Sequence, residues 1–99
     1  MKYSNKKLSI ENIKVQSIAK KFGTPAYCYS YNQLKENINN FKKVFKSFSP
    51  LICFAIKSNT NVNLISEIRK LGLGADVVSM GELMKALKAG IKPNKIVFS

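Results

Sequence analysis

Histidine is absent from this chain, and aspartate and arginine occur once each, as Asp76 and Arg69. Without an imidazole the chain supplies no Ser-His or Cys-His nucleophilic pair and no histidine metal site. Cysteine is confined to Cys28 and Cys53, too few for a disulfide framework or a thiolate metal site. Both lie in apolar, strand-like runs and read as buried, reduced thiols that act as small hydrophobes. No apolar run is long enough to span a bilayer. The N-terminal lysines are not followed by the apolar core of a signal peptide. These absences lead to the expectation of a cytoplasmic protein with no membrane partner. There is also no glycine fingerprint for phosphate; Gly72 and Gly74 read as a helix stop and a turn.

Acidic residues are scarce as well. Five of them face 17 basic ones, for a formal charge of +12. Such a charge raises the question of nucleic acid. All but one of the basic residues are lysines, whereas base edges and phosphates are usually read by arginine forks. The lysines are scattered over the outer faces of several predicted helices, with no recognition signature among them. Charge of this kind supports non-specific attraction only, and no specific nucleic-acid partner is expected. A positive field also suits an anionic cofactor or substrate.

What is present is a globular pattern. The chain has 99 residues, 45% of them hydrophobic, enough for one small domain or a piece of a larger one. Residues 1–13 are polar, with a short alternation at Leu8, Ile10 and Ile13 that reads as an arm or an edge strand. Val15, Ile18, Ala19 and Phe22 recur at helical spacing before Gly23, a helix stop. Ala26-Tyr27-Cys28-Tyr29 then reads as a strand. Ser30 and Gln33 have capping-box spacing. They open a helix whose apolar face, Leu34, Ile38, Phe41, Phe45 and Phe48, is expected to pack on a sheet.

After Pro50 the pattern becomes periodic. Residues 51–56 (LICFAI) form an uncharged run suited to a strand buried on both faces. A helix bearing Leu64, Ile65, Ile68 and Leu71 follows and stops at Gly72. A strand at 75–78, a helix capped by Ser79 and Glu82 that ends at Gly90, and a strand beginning at Ile96 complete the chain. Strands spaced by single helices are the βαβ signal, and right-handed crossovers make the sheet parallel. Three strands cannot close a barrel, so the expected fold class is α/β, truncated: the opening of a longer (β/α) protein.

In such folds function gathers at the carboxyl ends of the strands. Lys57 follows the apolar run at that end. A desolvated ammonium is easier to deprotonate, and a neutral lysine amine attacks aldehydes and can hold pyridoxal phosphate as a Schiff base. In a chain this rich in lysine, chance alone also puts one there. Asp76 sits in a strand, where aspartate is disfavoured, and a buried carboxylate needs a partner. Lys57 on the neighbouring strand is one candidate; capping of a turn or of the next helix is the other. Ser79 and Glu82 read as a helix cap, and Ser58 and Asn59 as loop hydrogen-bonders.

Four segments occur in order: FGTPAY (22–27), ICFAIKSN (52–59), GADVVSMGEL (74–83) and KIVFS (95–99). Together they resemble the N-terminal part of the ornithine/diaminopimelate/arginine decarboxylases, which have the alanine-racemase-like fold of pyridoxal-phosphate enzymes. The resemblance covers roughly residues 8 to 99 and is strongest to members acting on diaminopimelate. It implies the first strands and helices of a pyridoxal-phosphate-binding (β/α)8 barrel. Residues 1–30 would then form an arm, helix and strand leading into the barrel, and residues 31–99 its start. It implies that Lys57 bonds to the cofactor, that Asp76 lies close to that lysine and the cofactor, and that Ala55 lies beside the cofactor ring. The implied reaction converts meso-diaminopimelate to L-lysine and CO2. Ornithine, arginine or a carboxylated polyamine are alternative substrates, and a non-catalytic fragment is a further alternative. A homodimer is implied for the full-length protein. The family's histidine, glycine-rich phosphate loop and substrate arginines have no counterpart up to residue 99, so the chain alone is expected to be inactive.

Overall fold

The computed structural model describes all 99 residues. They form two compact units, Met1–Val44 and Phe45–Ser99.

The first unit opens with an antiparallel meander: β1 (Lys2–Ser4), β2 (Lys7–Ile10) and β3 (Ile13–Lys14). Each connection is a two-residue turn, and Asn5, Lys6, Glu11 and Asn12 all have positive φ. That is the conformation of the tight hairpin turns whose twist matches the strands. An arm or an edge strand is what the alternation of Leu8, Ile10 and Ile13 predicts; Asn5 and Asn12, which tolerate positive φ, are the local signal for the hairpins. Helix α1 (Val15–Phe22) ends at Gly23, whose N–H donates to the Ala19 carbonyl.

Ala26–Tyr29 forms no strand. A strand exists only through ladder partners for its N–H and C=O groups, and this segment has none. Its side chains are exposed, including Cys28, which corrects the expectation of a buried thiol. Tyr27 is 92% exposed.

Helix α2 (Tyr31–Val44) is capped as its sequence predicts: the Gln33 N–H donates to Ser30 Oγ at 3.2 Å. Gln33 does not return the favour, because its amide donates to Asn37 Oδ1. A carboxylate reaches the same helix end from the meander instead. Glu11 Oε1 accepts from the Ser30 hydroxyl and from the Asn32 N–H. An anion at a helix N-terminus is favoured by the unpaired N–H groups and the helix dipole.

The Asn32 N–H foremost, then the Ser30 hydroxyl, hold the Glu11 carboxyl below the usual carboxylate range. This stabilisation is therefore complete above the ordinary glutamate pKa and is lost as pH falls through the lower folded value. An NMR pH titration of the Glu11 carboxyl is expected to show a depressed midpoint that moves back toward the ordinary range in Ser30→Ala.

The second unit begins differently from expectation. The predicted helix through Phe48 breaks after Val44. Lys46–Phe48 is a 3-10 turn, and Ser49 has φ of 44°. Of the predicted apolar face, Leu34 and Ile38 are half-buried, while Phe41, Phe45 and Phe48 remain exposed.

Three parallel strands follow in the order β4-β5-β6: Cys53–Ala55, Gly74–Val77 and Ile96–Phe98. Helices α3 (Val62–Lys70) and α4 (Met80–Lys88) are the connections. The βαβ reading is thus borne out as a mixed α/β unit with a parallel sheet. The first strand is shorter than predicted: Ile56–Ser58 leaves it as a 3-10 turn.

The stops of α3 and α4 are where the spacing put them. Gly72 and Gly90 have φ of 92° and 89°, a left-handed conformation that glycine adopts without strain. The following residues close the helices: Leu73 N–H donates to Ile68 O, and Ile91 N–H to Ala86 O, the six-to-one bond of a Schellman cap.

The helices cover one face of the sheet. Ile56, Ile65, Ala75, Val77, Ala86, Ala89 and Ile91 are buried together, with Phe54, Val62, Leu83 and Ile96 packed against them. Side chains alternate across a strand, so Cys53, Ala55, Gly74, Asp76 and Val97 lie on the other, helix-free face. Burial on both faces of β4 was expected; within this unit Cys53–Ala55 are only half-buried.

Candidate active site

The helix-free face is built around one rung of the ladder. Ala55 pairs with Asp76 in register, and Asp76 pairs with Val97. Parallel pairing puts these three side chains on the same face at the carboxyl end of the sheet. One rung earlier, Cys53 pairs with Gly74. A Cβ at position 74 would run into the Lys95 carbonyl and come within 3.1 Å of Cys53 Sγ. Glycine there lets the strands approach, and it was misread as a turn residue in the sequence.

Ala55 and Asp76 are therefore brought together. Lys57 does not share their strand rung. The chain turns into a 3-10 conformation after Ala55, with Ser58 Oγ donating to the Ala55 carbonyl at 2.7 Å and the Asn59 N–H to the Ile56 carbonyl at 3.0 Å. That turn breaks the strand alternation before position 57. Lys57 is exposed on it.

Nor does Asp76 pair with Lys57. The carboxylate is half-buried, and its Oδ1 accepts from the Ser99 hydroxyl at 2.8 Å. The Ser99 N–H donates to the Val77 carbonyl at 3.1 Å, which continues the β5–β6 ladder and fixes the hydroxyl over Asp76. No spacing rule marks a hydroxyl such as that of Ser99, which a neighbouring strand places on a carboxylate.

Charge on this face is felt by Cys53. Burial pushes its thiol up, and the Asp76 carboxylate pushes it further in the same direction, since a nearby negative charge disfavours the thiolate.

The loops beyond the strands are organised by caps. Asn61 Oδ1 accepts from the N–H groups of Asn63 and Leu64 and starts α3. The Ser79–Glu82 box starts α4: the Glu82 N–H donates to Ser79 Oγ at 3.1 Å, and the Val78 N–H donates to Glu82 Oε2 at 2.9 Å. Ser79 and Glu82 thus act as the helix cap their spacing implied. Lys57, Asp76 and Ser99 lie at or just past the carboxyl ends of their strands, where open and closed α/β sheets place their ligands. The unit offers an exposed amine on the turn after β4 and, on the helix-free sheet face, the small residues Ala55 and Gly74 with one oriented carboxylate.

Residues 31–99 match the family described as pyridoxal-dependent decarboxylase, pyridoxal binding domain. The diaminopimelate decarboxylase of Helicobacter pylori strain J99 is 50% identical over 78 residues, covering 79% of this chain and 19% of that protein. That of Aquifex aeolicus is 43% identical over 99 residues, covering 100% of this chain and 23% of its own length. The solved diaminopimelate decarboxylase of M. jannaschii, in co-complex with L-lysine, superposes with a TM-score of 0.92 at 35% identity, covering 98% of this chain and 24% of that one. The chain thus spans roughly a fifth to a quarter of the length of these relatives.

Proposed function

We propose a function from one premise: this chain belongs to the pyridoxal-dependent decarboxylases, as part of their pyridoxal-binding domain. The longer protein that contains it removes CO2 from meso-diaminopimelate to give L-lysine. The observation that carries this reading is the match over residues 31–99, which takes in both Lys57 and Asp76. Relatives named diaminopimelate decarboxylase, one solved with L-lysine, support the substrate.

The residues present fit an aldehyde-bearing cofactor in the respect that this unit can test. Lys57 offers an exposed amine on the turn that leaves β4, next to a sheet face whose nearest side chains are small. Lys57 would bond to the cofactor aldehyde. Ala55, on the same strand, leaves room for a flat ring against the sheet. Asp76 would present a fixed negative charge to the positively charged groups of cofactor or substrate. When bound, pyridoxal phosphate supplies the electron sink for the pair left behind as CO2 departs.

Residues 31–99 would be the start of a (β/α)8 barrel. Three consecutive parallel strands joined by α3 and α4 support this, as does a helix-free face that a closed barrel would turn inward. Residues 1–30 would lead into it, and the functional unit would be a homodimer.

The substrate is tested with the full-length protein, supplied with pyridoxal phosphate and assayed for CO2 release. meso-Diaminopimelate is expected to react at least tenfold faster than ornithine or arginine at equal concentration. A preference for either of those would move the protein to another branch of the family. Bound cofactor without CO2 release from any of them would make it a non-catalytic relative.

A further inference from the structure

Asp76 is the only aspartate of the chain, and one of its oxygens is already committed. The Ser99 hydroxyl donates to Oδ1 at 2.8 Å, from the strand on the side away from Ala55 and Cys53. Ser99 is itself held by its N–H bond to the Val77 carbonyl, so the hydroxyl has a fixed origin. A serine side chain has a single χ1 to order, and a hydrogen bond to a charged acceptor is stronger than one between neutral groups. A half-buried carboxylate held this way keeps one orientation, and its second oxygen stays available on the helix-free face.

We propose that Ser99 is a positioning residue of this site: its hydroxyl orients the Asp76 carboxylate, and through it the cofactor-binding face. This rests on the reading of Lys57 and Asp76 as the cofactor site. The Cys53 thiol on β4 is an ionisable group that feels this carboxylate; neither Lys57 nor Glu82 forms an ion pair or hydrogen bond with it. Glu82 is occupied by the Val78 N–H, and the Cys53 thiol is pushed toward its neutral form. Ser99 is therefore the group that sets the direction of Asp76.

The test is a double-mutant cycle in the full-length protein. It compares Ser99→Ala, Asp76→Asn and their combination by the dissociation constant for pyridoxal phosphate, by kcat and KM, and by the melting temperature of the cofactor-free protein. Ser99→Ala is expected to weaken cofactor binding about tenfold, roughly the worth of one hydrogen bond to a charged group. The cofactor-free melting temperature should change little. Ser99→Thr, which keeps the hydroxyl, is expected to restore binding. The double variant is expected to bind no worse than Asp76→Asn alone, because Ser99 acts through that carboxylate. Additive losses, a threonine that rescues nothing, or unchanged binding in Ser99→Ala overturn the proposal. A Lys57→Ala protein with undiminished cofactor binding would instead overturn the cofactor site itself, which separates the two failures.

Discussion

Lys57→Ala in the full-length protein is expected to lower decarboxylation by roughly 10^3-fold or more, the scale seen when a covalent catalytic group is removed. The fold should survive, because Lys57 is exposed and surface substitutions usually stay within about 0.5 kcal/mol. Lys57→Arg should be as inactive as the alanine variant. It keeps the positive charge and loses the nucleophile, since a guanidinium is not deprotonated in proteins. Borohydride reduction of the cofactor-loaded protein, followed by peptide mapping, is expected to place the label on the peptide that contains position 57. With 16 lysines among the 17 basic residues, labelling elsewhere is a real competing outcome, and it would remove Lys57 from the chemistry. Activity retained by Lys57→Arg would make charge, rather than covalent bonding, its contribution.

The second large effect is on stability. Ile56 is fully buried beside Ile65, Val77 and Ala86, and it is the residue immediately before Lys57. Truncation of such a side chain removes apolar contacts and leaves a cavity, so Ile56→Ala is expected to cost about 2–5 kcal/mol. Ile56→Val should cost about 0.5–1.5 kcal/mol. Urea unfolding of the full-length protein reads both as shifts in midpoint at constant slope.

The 3-10 turn that carries Lys57 is anchored by this side chain and by the Asn59 N–H bond to the Ile56 carbonyl. Ile56→Ala should therefore also weaken cofactor binding, whereas substitution of the exposed Met84 on α4 should leave both quantities nearly unchanged. Equal midpoints for Ile56→Val and Ile56→Ala would show that the site relaxes around the loss and that Ile56 is no anchor.

The regular elements were legible where a short-range rule governs them. Ser30 and Ser79 cap their helices through their own side chains, and capping depends on groups two or three residues away. Gly72 and Gly90 end helices for an equally local reason. The parallel βαβ arrangement was legible because connection length and handedness leave few alternatives. Ala26–Tyr29 shows the opposite case. Its composition favours a strand, but strand formation needs a partner, and composition cannot provide one. The three-residue β4 is similar: six apolar residues in a row did not mark where the backbone would turn, since Ile56 remains buried after the chain has left the ladder.

The site divides along the same line. The order and spacing of the four segments already determined the family resemblance and the placement of Lys57 and Asp76 at the carboxyl ends of strands. Those features are carried by consecutive residues and survive any small change in geometry. Tertiary structure alone decided that Asp76 is held by Ser99 and not by Lys57. It also decided that Glu11 rather than Gln33 completes the cap of α2, and that Gly74 is needed for close strand approach. In each case the deciding partner lies about 20 residues away in sequence. A hydrogen bond or a van der Waals contact is settled at the scale of an ångström, and across such separations only the folded backbone brings particular atoms that close.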